Sequence, residues 1–268
     1  NEINHKKFNS IADLIPPNSV LVFNNTKVIK ARVIATRKSG GKVECFFLKN
    51  IKKNVWVGLI KNSKRINDGE ELIVKDQTIT VKNIKEKTAE FYIKGNLSDL
   101  DFLENHGNVP LPPYIKQDNP NHYDKEYQTI FAATPGAVAA PTASLHFTKE
   151  TFAQLKAKNI DITYITLHIG LGTFNPIISE NIYDHIMHKE NYLISKNTAT
   201  ELNKAKQNKK NIFAVGTTVI RCLESNIKAD KFKPGEYETN LYITPKYEFK
   251  CIDGIITNFH FFFIIEPN

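Results

Sequence analysis

Apolar and polar positions alternate over short distances in the early part of the chain. From Ala31 to about Leu97, runs rich in β-branched and aromatic residues are separated by turn residues, and no helical periodicity interrupts them. The tripeptide Ser39-Gly40-Gly41 is typical of a tight hairpin between two such runs. Closely spaced short strands without helices predict a small antiparallel barrel or sandwich. The predicted strands are Arg32 to Thr36, Lys42 to Leu48, Val55 to Ile60, Glu71 to Val74, Thr78 to Ile84 and Glu90 to Ile93.

Strand patterns alternate with helical patterns in the rest of the chain. The apolar run from Ser19 to Phe23 predicts a buried strand, and further strands are predicted at Ile160 to Leu167 and Ile212 to Val215. This alternation predicts a mostly parallel sheet, in which ligands lie beyond the carboxyl ends of the strands. His168 and Gly216 each directly follow such a strand. The predicted helices run from Ser98 to Glu104, onward from Thr148, from about Thr198 to Gln207 and from Val219 to about Glu224.

These two patterns predict a small antiparallel barrel or sandwich over Ala31 to Leu97 and an α/β arrangement in the part of the chain that follows. A chain of 268 residues that is 41% hydrophobic can bury a core for each domain. The segment Val109 to Tyr114 contains too much proline for a helix or strand, so we interpret it as a rigid connector or a binding loop.

Composition indicates the compartment of the protein. No uncharged apolar run reaches the roughly 20 residues that span a bilayer, and the first ten residues lack the pattern of a secretory signal. Cys45, Cys222 and Cys251 are far apart and odd in number, which argues against a disulfide framework or a zinc site. We therefore expect a reducing, cytoplasmic location and no membrane partner. Because the sequence lacks an initial methionine, we expect that it is not the complete gene product.

Net charge favours a polyanionic partner. The chain has 36 basic and 28 acidic residues, a balance of +8, and a basic surface attracts nucleic acid. A lysine-rich solvated surface is the alternative. Lys61, Lys64 and Arg65 follow a predicted barrel strand and are candidates for phosphate contacts. We interpret a second lysine cluster as a solvated helix face; it consists of Lys204, Lys206, Lys209 and Lys210.

A strand–turn–helix junction at Val215 to Arg221 is a candidate anion site. Gly216 frees the turn and Thr217 can cap the helix, whose amino-terminal N–H groups and positive dipole end favour an anion. Arg221 lies one turn into the helix and offers a planar guanidinium for a carboxylate or phosphate. A surface salt bridge is the alternative role of Arg221. The chain has four arginines: Arg32, Arg37, Arg65 and Arg221.

Two further segments suggest a ligand. Gly170-Leu171-Gly172-Thr173 resembles the start of a dinucleotide fingerprint, but Asn175 replaces its third glycine, so we reject a Rossmann cofactor site and retain a glycine-lined loop near a ligand. His185 and His188, within Asp184 to Glu190, share one face if this segment is helical. We favour acid–base use of these histidines over metal binding, because histidine titrates near neutrality and no zinc-protease motif is present. A polar surface segment is the remaining alternative.

Several unusual blocks follow one another along the chain. They are Val22 to Ile29, Lys42 to Glu44, Pro110 to Ile115, Tyr127 to Thr129, Gly136 to Phe147, Thr166 to Phe174, His185-x-x-His188-x-Glu190, Ala214 to Arg221 with Leu223-Glu224, and Thr257 to His260. In content and order they resemble the S-adenosylmethionine:tRNA ribosyltransferase-isomerase family of queuosine biosynthesis, over nearly the whole chain. Three features depart from that family: its opening segment is absent before Asn1, Ser144 replaces a glycine, and its Leu-Pro-x-Ser-type stretch is absent after His260.

The resemblance implies both a fold and a reaction. The implied fold is a discontinuous α/β catalytic domain, residues 1–30 and 98–268, with a small antiparallel β-barrel domain, residues 31–97, inserted near its start. In the reaction, S-adenosylmethionine donates its ribosyl moiety to 7-aminomethyl-7-deazaguanine at the wobble position of tRNA, giving epoxyqueuosine-tRNA, adenine and methionine. S-adenosylmethionine is then a co-substrate, and we expect no cofactor, no metal and a monomeric enzyme.

This reaction needs groups that titrate near neutrality in a partly dry pocket. We interpret His185 or His188 as the general base, and Glu190 as the proton donor or the partner of the acceptor amine. His168 completes the catalytic set. The predicted S-adenosylmethionine-binding residues are Gly170, Gly172, Thr173, Gly216, Thr217 and Arg221, with Arg221 and the Gly216 turn on the methionine carboxylate. The predicted tRNA-binding residues are Lys61, Lys64, Arg65 and His146.

Two other functions remain open at this point. An S-adenosylmethionine-dependent RNA methyltransferase requires a glycine-rich loop after the first strand and an acidic residue after the second, and the sequence has neither. A non-catalytic RNA-binding protein built on the barrel has no need for histidine-bearing blocks in the α/β part.

Overall fold

The computed structural model describes residues 3–111, 126–170, 181–185 and 187–258. Gly172, Thr173, His260 and residues 112–114 of the proline-rich segment lie outside these ranges. The helices are α1 (Ile11–Leu14), α2 (Asp99–His106), α3 (Lys149–Ala157), α4 (Lys196–Gln207) and α5 (Thr217–Asn226). The strands are β1 (Ser19–Asn24), β2 (Thr26–Val28), β3 (Arg32–Arg37), β4 (Lys42–Lys52), β5 (Val55–Ile60), β6 (Glu71–Val74), β7 (Gln77–Lys85), β8 (Thr88–Lys94), β9 (Gly107–Asn108), β10 (Thr134–Ala137), β11 (Asp161–Leu167), β12 (Glu190–Ile194), β13 (Asn211–Val215), β14 (Gly235–Thr239) and β15 (Gly254–Ile256).

A six-stranded mixed sheet organises the α/β unit, with the strand order β14-β12-β11-β1-β13-β15. β1 runs parallel to β11 and β13, and β13 runs parallel to β15. β12 and β14 form an antiparallel edge beside β11. All six residues of β1 are buried, which explains why its sequence is a continuous apolar run rather than an alternating one. The predicted mostly parallel sheet with helices is therefore confirmed.

The predicted barrel is also confirmed, and it is closed. β3 pairs with both β4 and β6, so the strands β3, β4, β5, β8, β7 and β6 form a continuous antiparallel ring. Residues in β8 alternate between buried and solvent-facing positions, as expected for a barrel wall. Phe47 and Phe91 pack inside with ring centroids 4.7 Å apart. Closure leaves no free edge among these six strands.

The chain divides into two compact units. The α/β unit comprises Asn1–Lys27, Thr129–Thr134 and Ala140–Asn268, and the barrel unit comprises Val28–Gln128 and Pro135–Ala139. The barrel unit extends beyond the expected residues 31–97 because α2 packs on the barrel. The Asp99 carboxylate accepts hydrogen bonds from the Asn54 backbone N–H (2.9 Å) and from Trp56 Nε1 (3.1 Å). The Phe102 ring lies 6.0 Å from that of Phe47.

The described residues around His185 and His188 contain no α-helix. A short 3-10 turn lies at Ile182–Asp184, before His185, and β12 begins at Glu190, after His188. Glu190 pairs with Thr239 of β14 and is therefore extended.

No helix in the described ranges has the length and apolar content needed to cross a membrane.

Candidate active site at the carboxyl ends of the strands

Asn24 and Asn25, in the polar turn at the carboxyl end of β1, form hydrogen bonds with the carboxyl end of the neighbouring strand β11. The Asn24 side chain donates from Nδ2 to the Leu167 carbonyl (2.9 Å) and accepts from the Leu167 N–H at Oδ1 (3.0 Å). The Thr166 hydroxyl donates to Asn25 Oδ1 at 2.6 Å. Asn24 is fully buried, so its amide replaces water as the partner of the last residue of β11. The backbone that leads into His168 is thereby fixed.

His168 is held by the same turn. Its Nδ1 lies 2.8 Å from the hydroxyl of Thr26, which is fully buried, and its backbone N–H donates to the Asn191 carbonyl at 3.2 Å. Burial lowers the pKa of His168 below its usual 6.5, while the Glu236 carboxylate acts in the opposite direction. The imidazole is therefore neutral at neutral pH. Because Nδ1 is occupied by Thr26, Nε2 is the nitrogen left for a reacting proton.

A cavity of about 640 Å³ lies beside His168 in the α/β unit. A polar set of side chains surrounds it, and two of them, Glu236 and Glu238, are carboxylates on the antiparallel edge strand β14. A volume of this size accommodates a nucleoside-sized ligand. The lining residues are Thr134, Thr166, His168, Asn191, Tyr192, Leu193, Glu236, Tyr237 and Glu238.

Glu190 and Arg221 form a buried ion pair with each other. They are 6% and 8% exposed, and Arg221 Nη1 donates to Glu190 Oε2. Arg221 also donates from Nε to the Leu241 carbonyl (2.9 Å) and from Nη2 to the His188 carbonyl (3.2 Å). Burial raises the pKa of Glu190, and the guanidinium opposes that effect by favouring the charged carboxylate. Each nitrogen of Arg221 thus has a protein acceptor, so the structure does not leave the side chain as an open carboxylate clamp.

His185 and His188 do not meet in the structure. The His185 ring packs edge-on against Tyr242 with centroids 5.2 Å apart, and the His188 side chain is exposed. Their predicted catalytic roles stay predictions. Among the residues that the structure describes, no group of three or more His, Cys, Asp or Glu side chains is arranged to hold a metal ion.

At the predicted anion site, Gly216 itself is the N-cap of α5, and the expected cap by the Thr217 side chain is not formed. Gly216 precedes α5 with φ 94° and ψ 151°, a conformation that a side chain would strain. Its N–H donates to the carbonyl of Ile256, the last residue of β15, at 2.8 Å, and this bond connects the turn to the sheet. Thr217 begins α5, and the Thr218 hydroxyl lies 3.5 Å from Asn24 Nδ2. The helix start and the polar turn after β1 are therefore neighbours.

The other predicted binding residues fall in separate places. Gly170 is half-buried, and its N–H points at Glu190 Oε1 (3.4 Å). His146 is exposed in the α/β unit, 3.1 Å from Asn258 Oδ1 through Nε2. Gly172 and Thr173, predicted beside Gly170, lie outside the described residues.

The barrel cations line a second cavity, of about 820 Å³, within the barrel unit. Lys64 and Arg65 lie on a short 3-10 turn, Ser63–Arg65, directly after Lys61 and Asn62. Phe46 and Leu59 contribute apolar surface to the same cavity. The cations share this lining with two carboxylates, Glu44 and Glu86, so the charge around the cavity is mixed, with basic residues in excess.

Sequence reasoning missed several residues in and around the cavity beside His168. Asn24 and Thr26 do not line the cavity but hold Leu167 and His168, and the polar turn after a buried strand was the signal for them. Asn191 and Glu236 gave no comparable signal, because they reach the cavity through the antiparallel strands β12 and β14, which the pattern did not predict.

The fold and site together define a two-unit α/β protein whose titratable residues gather at the carboxyl ends of the central strands. A comparison with known families identifies it further: the chain belongs to the queuosine biosynthesis protein family, whose sequence model matches residues 1–262. S-adenosylmethionine:tRNA ribosyltransferase-isomerase from Sulfurihydrogenibium sp. is 44% identical over 260 residues, or 96% of this chain and 76% of that protein. The protein of the same name from Coxiella burnetii is 41% identical over 259 residues, again 96% of this chain and 76% of that protein. A crystal structure of S-adenosylmethionine tRNA ribosyltransferase from Thermotoga maritima is 25% identical, covers 97% of this chain and 73% of its own, and has a TM-score of 0.44.

Proposed function

We propose that this protein transfers and isomerises the ribosyl moiety of S-adenosylmethionine onto 7-aminomethyl-7-deazaguanine at the tRNA wobble position. The products are epoxyqueuosine-tRNA, adenine and methionine. The observation that carries the proposal is the 44% identity over 96% of the chain with a relative named for this transfer and isomerisation. The neutral histidine beside a nucleoside-sized cavity supports it.

His168 is the residue that the geometry favours for proton abstraction. The sulfonium of the donor acidifies the adjacent C5′ protons, and a neutral imidazole can accept one of them at Nε2. The contact between Nδ1 and the Thr26 hydroxyl orients the ring, and proton abstraction at Nε2 uses the tautomer in which Nδ1–H donates to that hydroxyl. Adenine leaves with a proton from a general acid, and the neutral amine of the acceptor base then attacks the sugar. His185 and His188, expected from the sequence as alternatives for the base, are proposed here for the acid instead, because His168 is the histidine that lines the cavity.

The turn at Gly216 and Thr217 is the proposed seat of the methionine carboxylate. The amino terminus of α5 offers N–H groups and the positive end of the helix dipole to an anion. Gly170, Gly172 and Thr173 remain the proposed glycine-lined loop on the nucleoside. Arg221 and Glu190, which sequence reasoning assigned to the donor carboxylate and to proton transfer, receive a different role below, because they bind each other.

The tRNA contacts proposed on the barrel are Lys61, Lys64 and Arg65, around the cavity described above. His146 is a proposed contact on the α/β unit. Lysine and arginine neutralise phosphates and release counterions, so this binding depends on salt. A tRNA substrate and three buried free cysteines fit a reducing, cytoplasmic location. We propose a monomer that uses S-adenosylmethionine as co-substrate and requires no metal.

Product analysis tests the proposed reaction. Purified protein is incubated with S-adenosylmethionine labelled in its ribose carbons and with tRNA that carries the aminomethyl-deazaguanine. The expected result is equal amounts of free adenine, free methionine and labelled tRNA. Methyl label in the RNA with S-adenosylhomocysteine as co-product would instead indicate a methyltransferase, and tRNA binding with unchanged donor would indicate a non-catalytic RNA-binding protein.

A further inference from the structure

The ion pair between Glu190 and Arg221 lies outside the cavity beside His168. Neither residue belongs to the lining of that cavity, and both residues are buried. A buried ion pair contributes little net stability in comparison with a well-packed apolar pair, since both charges lose their hydration. Its particular contribution is therefore a fixed geometry for the groups that it touches.

Arg221 connects three backbone segments at one end of the sheet. From α5 it donates to the carbonyls of His188, before β12, and of Leu241, after β14. It also donates from Nη2 to the Thr239 carbonyl at 3.5 Å, at the end of β14. A planar guanidinium can satisfy several acceptors in fixed directions, which an ammonium cannot do.

Glu190 passes this constraint on to the segment that carries the proposed base. Its Oε1 accepts from the Gly170 N–H at 3.4 Å. The next residue, Asn191, accepts from the His168 N–H through its carbonyl at 3.2 Å. Two consecutive residues of β12 thus hold both ends of the His168–Gly170 turn.

We infer that Arg221 is a positioning residue, which acts through Glu190 to fix the His168–Gly170 turn in its catalytic conformation. Neither Arg221 nor Glu190 contacts the donor. This assignment rests on the proposed function for its kinetic consequence, but its structural consequence at the Gly170 amide is independent of the reaction.

The first experiment separates positioning from donor binding with Arg221→Lys. Lysine retains the charge opposite Glu190 but cannot reach the three carbonyls at once, so kcat for adenine release should fall at least about tenfold. KM for S-adenosylmethionine and for tRNA should stay within about threefold of the wild-type values. A large rise in KM for the donor with unchanged kcat would overturn the inference, because it would place Arg221 on the methionine carboxylate.

The matched control is Arg37→Lys. Arg37 forms a two-point ion pair with Glu70 in the barrel unit, with nitrogen–oxygen distances of 2.6 and 2.9 Å, and lines neither cavity. It should retain the wild-type kcat. An equal loss in both variants would show that a destabilised fold, rather than the position of His168, lowers turnover, and would overturn the inference.

A second variant, Glu190→Gln, distinguishes positioning from proton transfer. The glutamine oxygen can still accept from the Gly170 N–H, so at least about a tenth of kcat should remain. Loss of turnover by roughly a thousandfold or more in a folded protein would make Glu190 the proton donor and would overturn the positioning role.

Hydrogen exchange provides a readout that does not require activity. The amides of His168 and Gly170 should exchange at least about tenfold faster in Arg221→Lys than in Arg37→Lys. Unchanged exchange would overturn the inference, even if the wild-type protein releases adenine. Conversely, faster exchange together with a wild-type protein that releases no adenine would uphold the positioning role and reject only the proposed reaction.

If Arg221→Lys does not fold, the double variant Arg221→Met/Glu190→Leu replaces it, because this variant leaves no unpaired charge. The same loss of kcat and the same faster exchange are expected. Wild-type kcat in the double variant would contradict the inference.

Discussion

The strand ends of the α/β unit and the interior of the barrel use buried polar groups in opposite ways. In the described part of the α/β unit, buried polar side chains are numerous and include Asn24, Thr26, Glu190 and Arg221. In the described part of the barrel unit, Thr80 is the one polar residue that is buried. The barrel interior consists of packed apolar and aromatic side chains, whereas its charges lie on the outside and around its cavity.

This contrast separates two kinds of contribution to function. Buried polar groups at the strand ends have defined partners and directions, which acid–base chemistry requires. Exposed cations on the barrel act over longer distances and without fixed geometry, which suits association with a polyanion. We therefore expect changes at the strand ends to affect kcat and changes at the barrel rim to affect KM for tRNA.

The largest effect is expected for His168→Gln. Loss of the proposed base should lower kcat for adenine release by roughly 10²–10⁴-fold, while tRNA affinity stays near wild type. Single-turnover adenine release with saturating tRNA measures this effect. His5→Gln, at an exposed position, is the control and should retain full kcat. Near wild-type adenine release in a folded His168→Gln protein would remove His168 from the chemistry.

Much of the fold could be predicted from the sequence, because the pattern reports burial directly. The barrel strands alternate with period two and are joined by short turns, and β1 is an unbroken apolar run because both of its faces are covered. β12 and β14 could not be predicted in this way. β12 has only five residues, and β14, Gly235–Thr239, is mostly polar, so their pairing depends on tertiary contacts rather than on local preference.

The site was only partly predictable for a related reason. His168 and Gly216 were singled out because each directly follows a predicted strand, and the carboxyl end of a parallel strand can be located from the amino-acid sequence alone. The partnership of Glu190 with Arg221 joins residues 31 positions apart, and no local pattern indicates which charges will pair. His185 and His188 were proposed from residue type alone, because histidine titrates near neutrality, and neither lines the cavity beside His168.

The second-largest effect tests the barrel side of the comparison. Replacement of Lys61, Lys64 and Arg65 by glutamine should weaken tRNA binding roughly 10–100-fold near 0.1 M salt and lower the slope of log K against log salt by about 2–3. kcat at saturating tRNA should be unchanged. Filter binding across a salt series measures both quantities.

A charge-matched control keeps this experiment specific. Lys156, Lys196 and Lys204 are exposed lysines of the α/β unit, and their joint replacement by glutamine removes the same charge. Equal weakening in both triple variants would mean that net charge alone, and not the barrel rim, attracts tRNA.

A smaller effect is expected for Thr26→Val. The variant keeps the shape of Thr26 but removes the hydroxyl that lies 2.8 Å from His168 Nδ1. A hydrogen bond worth about 1 kcal/mol orients the ring, so kcat should fall by roughly fivefold. Thr80→Val makes the same change at a buried barrel threonine whose hydroxyl has no hydrogen-bond partner within the described ranges. Thr80→Val should leave kcat unchanged and preserve or raise the unfolding temperature; equal kinetic loss in the two variants would contradict the proposed difference between the units.

The smallest effect is expected in the pH profile of Glu236→Gln. His168 must be neutral to accept a proton, so kcat/KM of the wild type should fall as the pH drops through the pKa of His168, which burial holds below 6.5. The Glu236 carboxylate favours the protonated ring and raises this pKa. Its removal should lower the pKa further and move the acid limb of the profile to lower pH, so that the variant keeps more of its maximal rate in mild acid.

The control is Glu238→Gln, which removes a carboxylate from the same strand and cavity. Glu238 faces Lys189 Nζ at 3.5 Å, so this variant should leave the acid limb at its wild-type pH. A shift to higher pH in Glu236→Gln, or equal shifts in both variants, would show that the titrating group is not His168. The reason is that Glu236 is the carboxylate that raises the pKa of His168.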